Sequence, residues 1–254
     1  MKLYLPFILY ACLVIFIPNP ILFTFAETDN EKNETFINSY DADLTGDGFQ
    51  EHFTLRGVLL SNRSHFYRDV WMDISSPFSH QWKISFDGGY DPDIQLIDLN
   101  HDHIFDIFYQ VAKDENKRQY NYQLYTLQNG MVKNLPLPKH KHIQGKFLNG
   151  FKIKIQINPH KAPIIKDIKE TKEEYTKQNI YKEDGTLVKD KKLNITPISF
   201  LEPILISETK GYGLKSYQSI KGINEKDVLG EIITLWYYKD DEWIILTSEW
   251  KDNS

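Results

Sequence analysis

Two short acidic segments carry the strongest chemical signal in the chain. Asp43-Leu44-Thr45-Gly46-Asp47-Gly48-Phe49-Gln50-Glu51 and Asp98-Leu99-Asn100-His101-Asp102-His103-Ile104-Phe105-Asp106 share the form D-x-[NT]-x-D-x-x-x-[DE]. Oxygen donors at alternate positions of a tight turn converge on one point. Calcium is a hard cation that takes about six to eight oxygen ligands at roughly 2.3–2.6 Å. The first segment offers the side chains of Asp43, Thr45 and Asp47, the carbonyl of Phe49, and Glu51. The second offers Asp98, Asn100, Asp102, the carbonyl of Ile104, and Asp106. The sixth position bends sharply and favours glycine. Gly48 meets that demand, whereas His103 pays about 1 kcal/mol for a left-handed backbone. Thr45 is neutral and a weaker ligand than an acid or amide. The competing reading is a pair of Asx-type turns between strands, with no metal.

The two segments are offset by 55 residues, and the register extends beyond them: Phe53 falls on Phe108, and Tyr67 on Tyr122. A repeat of this length forms a unit of about three or four strands stacked on its neighbour. The elements that must position the acids read as β-structure. Val70–Ile74, Gln81–Phe86 and Asn121–Leu127 are rich in aromatic and β-branched residues. Phe151–Ile157 alternates apolar and polar residues and predicts a strand with one buried face. Glu231–Tyr238 and Glu242–Trp250 predict a long hairpin turning at Lys239-Asp240-Asp241, and Asp184-Gly185 predicts a second, tight hairpin over Ile180–Val188. Lys166–Tyr175 predicts a short exposed helix, with Lys166/Glu170 and Lys169/Glu173 at i,i+4 spacing. The expected fold is all-β, mainly antiparallel, with at most a short helix near 166–178. The expected organisation is a two-copy repeat over 36–145 and a C-terminal β region over 146–254, with Pro136-Leu137-Pro138 and Gly145–Gly150 as boundary signals.

The paired loops resemble the calcium-binding loops of FG-GAP/VCBS-type repeats, found in bacterial surface proteins and integrin-like β-propellers. The resemblance covers about residues 40–130 and rests on Asp43, Thr45, Asp47 and Glu51, and on Asp98, Asn100, Asp102 and Asp106. It implies a propeller-like repeat in the first half, in loops that brace blades and support recognition rather than catalysis. The chain departs from the pattern in having two clear copies and no clear FG-GAP tripeptides. A closed propeller has about four to eight blades, so closure stays open. The whole chain also resembles uncharacterised secreted proteins of spore-forming bacteria.

Residues 1–26 begin with Lys2, run apolar from Leu3, and end at Ala26 before the polar Glu27-Thr28-Asp29-Asn30. That is the layout of a secretory signal cleaved after Ala26. A retained membrane anchor is the alternative, and Pro18 and Pro20 weigh against it. Cys12, within this segment, is the chain's one cysteine, so neither a disulfide framework nor a cysteine zinc site is expected. The hydrophobic fraction of 41% is that of a globular protein, and the net charge of −5 disfavours a nucleic-acid partner bound through a broad basic surface.

Weaker constellations add little. His140-Lys141-His142 places two imidazoles on one face of a strand, without a third ligand, and reads as an exposed basic loop. Trp236, Trp243 and Trp250 read as core residues of the terminal hairpin, with a sugar-stacking platform as the alternative. No nucleophile elbow, zinc-protease helix or phosphate-cradling loop appears. The expected function is that of a non-enzymatic exported calcium-binding protein, a cell-surface or spore-associated module for a glycan or protein. The alternative is an extracellular hydrolase of polysaccharide or cell-wall material. It would use a carboxylate pair drawn from Asp87, Asp91, Asp93, Glu202 and Glu208.

Overall fold

Alternation of buried and exposed residues builds three antiparallel sheets. The structure is a computed structural model and describes residues 34–140 and 142–252. The signal or anchor segment 1–26, with Cys12, lies outside the described residues. Among the described residues, no helix is long and apolar enough to cross a membrane.

The first sheet has eight strands: β1 (Glu34–Ala42), β2 (Glu51–Leu59), β3 (Phe66–Ser75), β4 (Gln81–Phe86), β5 (Gly89–Ile97), β6 (Asp106–Ala112), β7 (Tyr120–Thr126) and β8 (Lys133–Leu135). Their order is β1-β2-β3-β5-β6-β7-β8, with β4 also on β3. The 55-residue offset carries β1 onto β5 end for end, and the first residue of β2 onto the first residue of β6. β3 divides its edge between two partners. Phe66 and Tyr67 pair with β5, and Val70 to Ser75 pair with β4. The two copies therefore join edge to edge in one curled sheet instead of standing as separate blades.

The second sheet contains β9 (Gln144–Leu148), β10 (Lys152–Gln156) and β11 (Ile164–Asp167), with β10 in the middle. β10 realises the predicted alternation: Ile153 and Ile155 are buried, and Lys152 and Lys154 point away. The third sheet contains β12 (Asn194–Ile195), β13 (Phe200–Ser207), β14 (Gly211–Lys221), β15 (Val228–Lys239) and β16 (Glu242–Asp252). β15 and β16 are the predicted terminal hairpin. Asp240 and Asp241 both take positive φ, 51° and 63°, the pattern of a two-residue turn matched to the strand twist.

Two local expectations change. The helix begins later than predicted. Lys166 and Asp167 belong to β11, a 3-10 turn covers Lys169–Thr171, and α1 covers only Lys172–Lys177. The i,i+4 pairs give way to other partners: Lys166 bonds Asp252 at 2.7 Å, and Lys169 meets Asp167 at 3.3 Å. Around Asp184-Gly185 there is a turn closed by a single bridge, Tyr181 to Leu187, with no hairpin ladder. Tyr181 is drawn inward instead, and its hydroxyl bonds the carbonyls of Leu148 and Lys152.

One core cluster lies inside the first sheet around Phe53, Leu55, Met72, Ile74 and Tyr109. A second joins the middle sheet to α1 and the third sheet, through Phe147, Ile153, Tyr175, Ile220 and Ile232. The remaining cluster is shared: Leu99, Phe108, Leu124 and Leu135 of the first half pack with Leu201, Leu214 and Trp236 of the second. Polar ties cross the same boundary. Leu201 N–H donates to the Tyr122 hydroxyl (3.0 Å), and Trp243 Nε1 donates to the Pro136 carbonyl (2.6 Å).

Candidate cation loops and the adjoining cleft

The acidic segments connect β1 to β2 and β5 to β6, and most of their turn hydrogen bonds repeat from one to the other. In each, the second residue, Leu44 or Leu99, is fully buried and pins the loop to the core. The opening aspartate then collects the amides of its own turn. Asp43 accepts from Gly46 N–H (2.7 Å) and Gly48 N–H (2.8 Å). Asp98 accepts from His101 N–H (2.7 Å) and His103 N–H (3.0 Å). The fifth residue repeats as well: Asp47 accepts from Phe49 N–H, and Asp102 from Ile104 N–H. The ninth closes the loop from inside the protein. Glu51 Oε2 accepts from Leu44 N–H (2.8 Å), and Asp106 Oδ2 from Leu99 N–H (2.9 Å). Both closing carboxylates are 0% exposed.

Each loop needs two left-handed residues, at positions 4 and 6. Gly46 and Gly48 supply them in the first (φ 76° and 86°), and His101 and His103 in the second (φ 65° and 69°). Sequence reading anticipated the sixth position and missed the fourth. His101 does further work there. Its ring stacks on Tyr237 of β15 with centroids 4.4 Å apart, which ties the second loop to the third sheet. Burial lowers its basicity, opposed in part by Asp98 and Asp102, and its Nε2 is buried without a hydrogen-bond partner.

The third position decides how the oxygens meet. Asn100 Nδ2 donates to Asp102 Oδ2 (3.0 Å) and Asp106 Oδ1 (3.3 Å), so these two carboxylates share a centre held by the amide. Thr45 Oγ1 reaches Glu51 Oε1 at 3.4 Å in the first loop. Among the described residues, no three His, Cys, Asp or Glu side chains gather into a ready-made ligand cluster. The donor chemistry still suits a hard cation. The side chains are oxygen-bearing, Asp102 Oδ2 and Asp106 Oδ1 accept no backbone amide, and displacing the Asn100 amide nitrogen from between them would open the shared centre to an ion. Burial raises the Asp106 carboxyl to about 7, against the pull of the Leu99 and Asn100 amides. A divalent ion would hold that group ionised.

Residues 141–251 match the family model of the YybI C-terminal domain. The matched segment takes in β9 through most of β16, and both acidic loops lie outside it. No curated protein and no solved structure matches the chain.

Beside the first loop lies a cleft of about 440 Å³. Thr45 and Asp47 form one wall, His80, Gln81 and Trp82 another, and Asn129 and Gly130 close it. Trp82 is fixed by its Nε1 bond to the Gly130 carbonyl (2.9 Å), and His80 leans over its ring at 5.8 Å. Phe49 and Phe78 meet edge to face at 4.9 Å and remain more than half exposed. Strand parity alone could not reveal this cleft, because it forms where a loop, a hairpin and the 3-10 turn Gln128–Gly130 come together. The candidate hydrolytic acids do not line it. Asp91 pairs with Lys117, Asp93 accepts from Gln110, and Glu202 binds Tyr217 and Lys215. Asp87 offers its backbone to Tyr109 and Gln123, and Glu208 lies in the exposed turn after β13.

His140 also departs from expectation. Far from sitting in an exposed basic loop, its Nε2 bonds Thr234 Oγ1 of β15 (2.9 Å) and its ring meets Trp236 edge to face at 4.6 Å. His142 is exposed.

Proposed function

We propose that this protein is an exported, non-enzymatic calcium-binding β-repeat protein, acting as a cell-surface or spore-associated module that recognises a glycan. Calcium would be held by Asp43, Thr45, Asp47, the Phe49 carbonyl and Glu51 in the first loop. In the second, Asp98, Asn100, Asp102, the Ile104 carbonyl and Asp106 would hold it. The ion supplies rigidity there: it neutralises buried acids and fixes a turn. One observation carries the reading. Thr45 and Asp47 belong both to a loop of this pattern and to the wall of a cleft that offers an indole face with amide and imidazole edges. Sugars are bound by that combination of a flat apolar face and convergent polar groups.

The test is calcium titration of the purified chain by calorimetry and thermal melting, beside Asp47→Ala and Asp102→Ala. Heat release and a rise in melting temperature at millimolar calcium, reduced in each variant, are expected. Absence of both in the wild type removes the metal from the reading. Binding of cell-wall polysaccharide that requires calcium and is lost in Trp82→Ala would place the glycan in the cleft.

A further inference from the structure

The middle sheet presents an arrangement that folding alone disfavours. Lys154 of β10 stands directly opposite Lys146 of β9. Lys146 in turn stands directly opposite Lys192, on the segment that runs along the other side of β9. Phe147 N–H bonds the Lys191 carbonyl and Leu193 N–H bonds the Gly145 carbonyl. These bonds flank the Lys146–Lys192 pair and make it a non-hydrogen-bonded one, whose Cα atoms stand about 4.5 Å apart. Directly opposed residues share a face, so three ammonium groups lie in a row across β10, β9 and the segment bridged to β9. Like charges so placed repel. Among the described residues, no ion pair joins any of the three to a carboxylate.

The row is also the wall of a cavity of about 490 Å³. Gln144 and Gln156, themselves opposite one another, form the next rung and line the same space. The rest of the lining is aliphatic or glycine, with no aromatic ring. We propose that this cavity binds a phosphate-bearing polyanion, laid across the strands with successive phosphates on successive lysines. Lysine meets phosphate as a point charge and needs no planar match. Neighbouring strands are about 4.8 Å apart, a pitch that suits anionic groups repeated along one chain. A single doubly charged anion can bridge two neighbouring amines but leaves the third unmatched. The missing aromatic platform argues against a nucleic acid, whose bases bind by stacking. Gln144 offers an amide donor and acceptor to the linking atoms, and Gln156, whose amide nitrogen is held by the carbonyls of Asn158 and Lys161, offers its amide oxygen. The site lies in the second half and owes nothing to the acidic loops.

Two sources supply this chemistry, a soluble oligophosphate and a phosphodiester-linked polyol. The experiment titrates the full chain with tripolyphosphate and, separately, with poly(glycerol phosphate). The buffer contains chelator and no divalent ion, which keeps the outcome independent of calcium. The wild type is expected to bind at least one probe with one site per chain. Lys146→Gln/Lys154→Gln/Lys192→Gln is expected to bind about tenfold or more weakly, through loss of charge-assisted contacts. The same variant should melt at or above the wild-type temperature, because the repulsion is gone. Lys133→Gln, an exposed lysine off the row, should bind as the wild type does. Preference for one probe identifies the source. Binding no stronger than that of sulfate at equal ionic strength, equal binding by the triple variant, or tighter binding of oligothymidylate would overturn the proposal.

Discussion

Gly46 of the first acidic loop lies against the side chain of Ile104 in the second, so close that a Cβ on Gly46 would come within 2.5 Å of Ile104 Cδ1. The two loops are therefore neighbours in space as well as copies in sequence. Position 4 of one is keyed to position 7 of the other, and a change in either turn is felt by both.

Gly46→Ala is expected to cost about 2–4 kcal/mol, from a left-handed backbone and from overpacking against Ile104. Gly48→Ala meets nothing within 4 Å and should cost only the backbone part, about 1–2 kcal/mol. Urea denaturation of the two variants measures the difference. Equal losses would show that the contact between loops contributes nothing.

Glu51→Ala removes the buried acceptor of Leu44 N–H. A loss of about 1–3 kcal/mol is expected from the amide left unpaired. It should appear in chelator as well as in calcium, since the contact is made within the protein. Chemical denaturation in the two buffers checks this.

Burial depresses His140 from 6.5 to about 4. Between those values the unfolded chain binds the extra proton and the folded chain does not, so stability rises with pH across that window. Its contribution is complete above pH 6.5 and is lost as pH falls toward 4. His140→Gln should flatten the profile there by as much as about 1.4 kcal/mol per pH unit. Melting curves from pH 4 to 8 for both proteins give the answer, and parallel profiles would refute this origin.

Tyr175 anchors α1 by donating its hydroxyl to the Asp227 carboxylate (2.8 Å), which also accepts from Ile223 N–H. Tyr175→Phe should destabilise the chain by about 1.5–3 kcal/mol, the range for hydrogen bonds to charged groups. Urea titration followed by tryptophan fluorescence measures it. An unchanged midpoint would mean that ring burial alone holds the helix.

Strands were legible wherever alternation met a one-sided core. Gln81–Phe86 is β4, and Phe151–Ile157 encloses β10. The 55-residue repeat was legible because its loops need particular residue types at fixed positions. What escaped sequence reading depends on partners distant in the chain. Lys166 joined a strand because β10 pairs with it through Ile153, which local helix pairing could not outweigh. His140 found a place against Trp236 that no neighbouring residue foretells. The lysine row exists only once three separated segments are side by side. His101, left-handed at the fourth position, escaped sequence reading altogether, because its stacking partner Tyr237 lies far along the chain.

The cluster of Leu99, Phe108, Leu124 and Leu135 with Leu201, Leu214 and Trp236 has a consequence for relatives. Leu201, Leu214 and Trp236 all fall within the segment matched by the YybI C-terminal domain, yet they share their cluster with four buried residues that precede it. A protein carrying that segment without the acidic repeat must roof those three side chains with some other structure. A piece of this chain begun at residue 141 would meet water with an oily face and tend to self-associate.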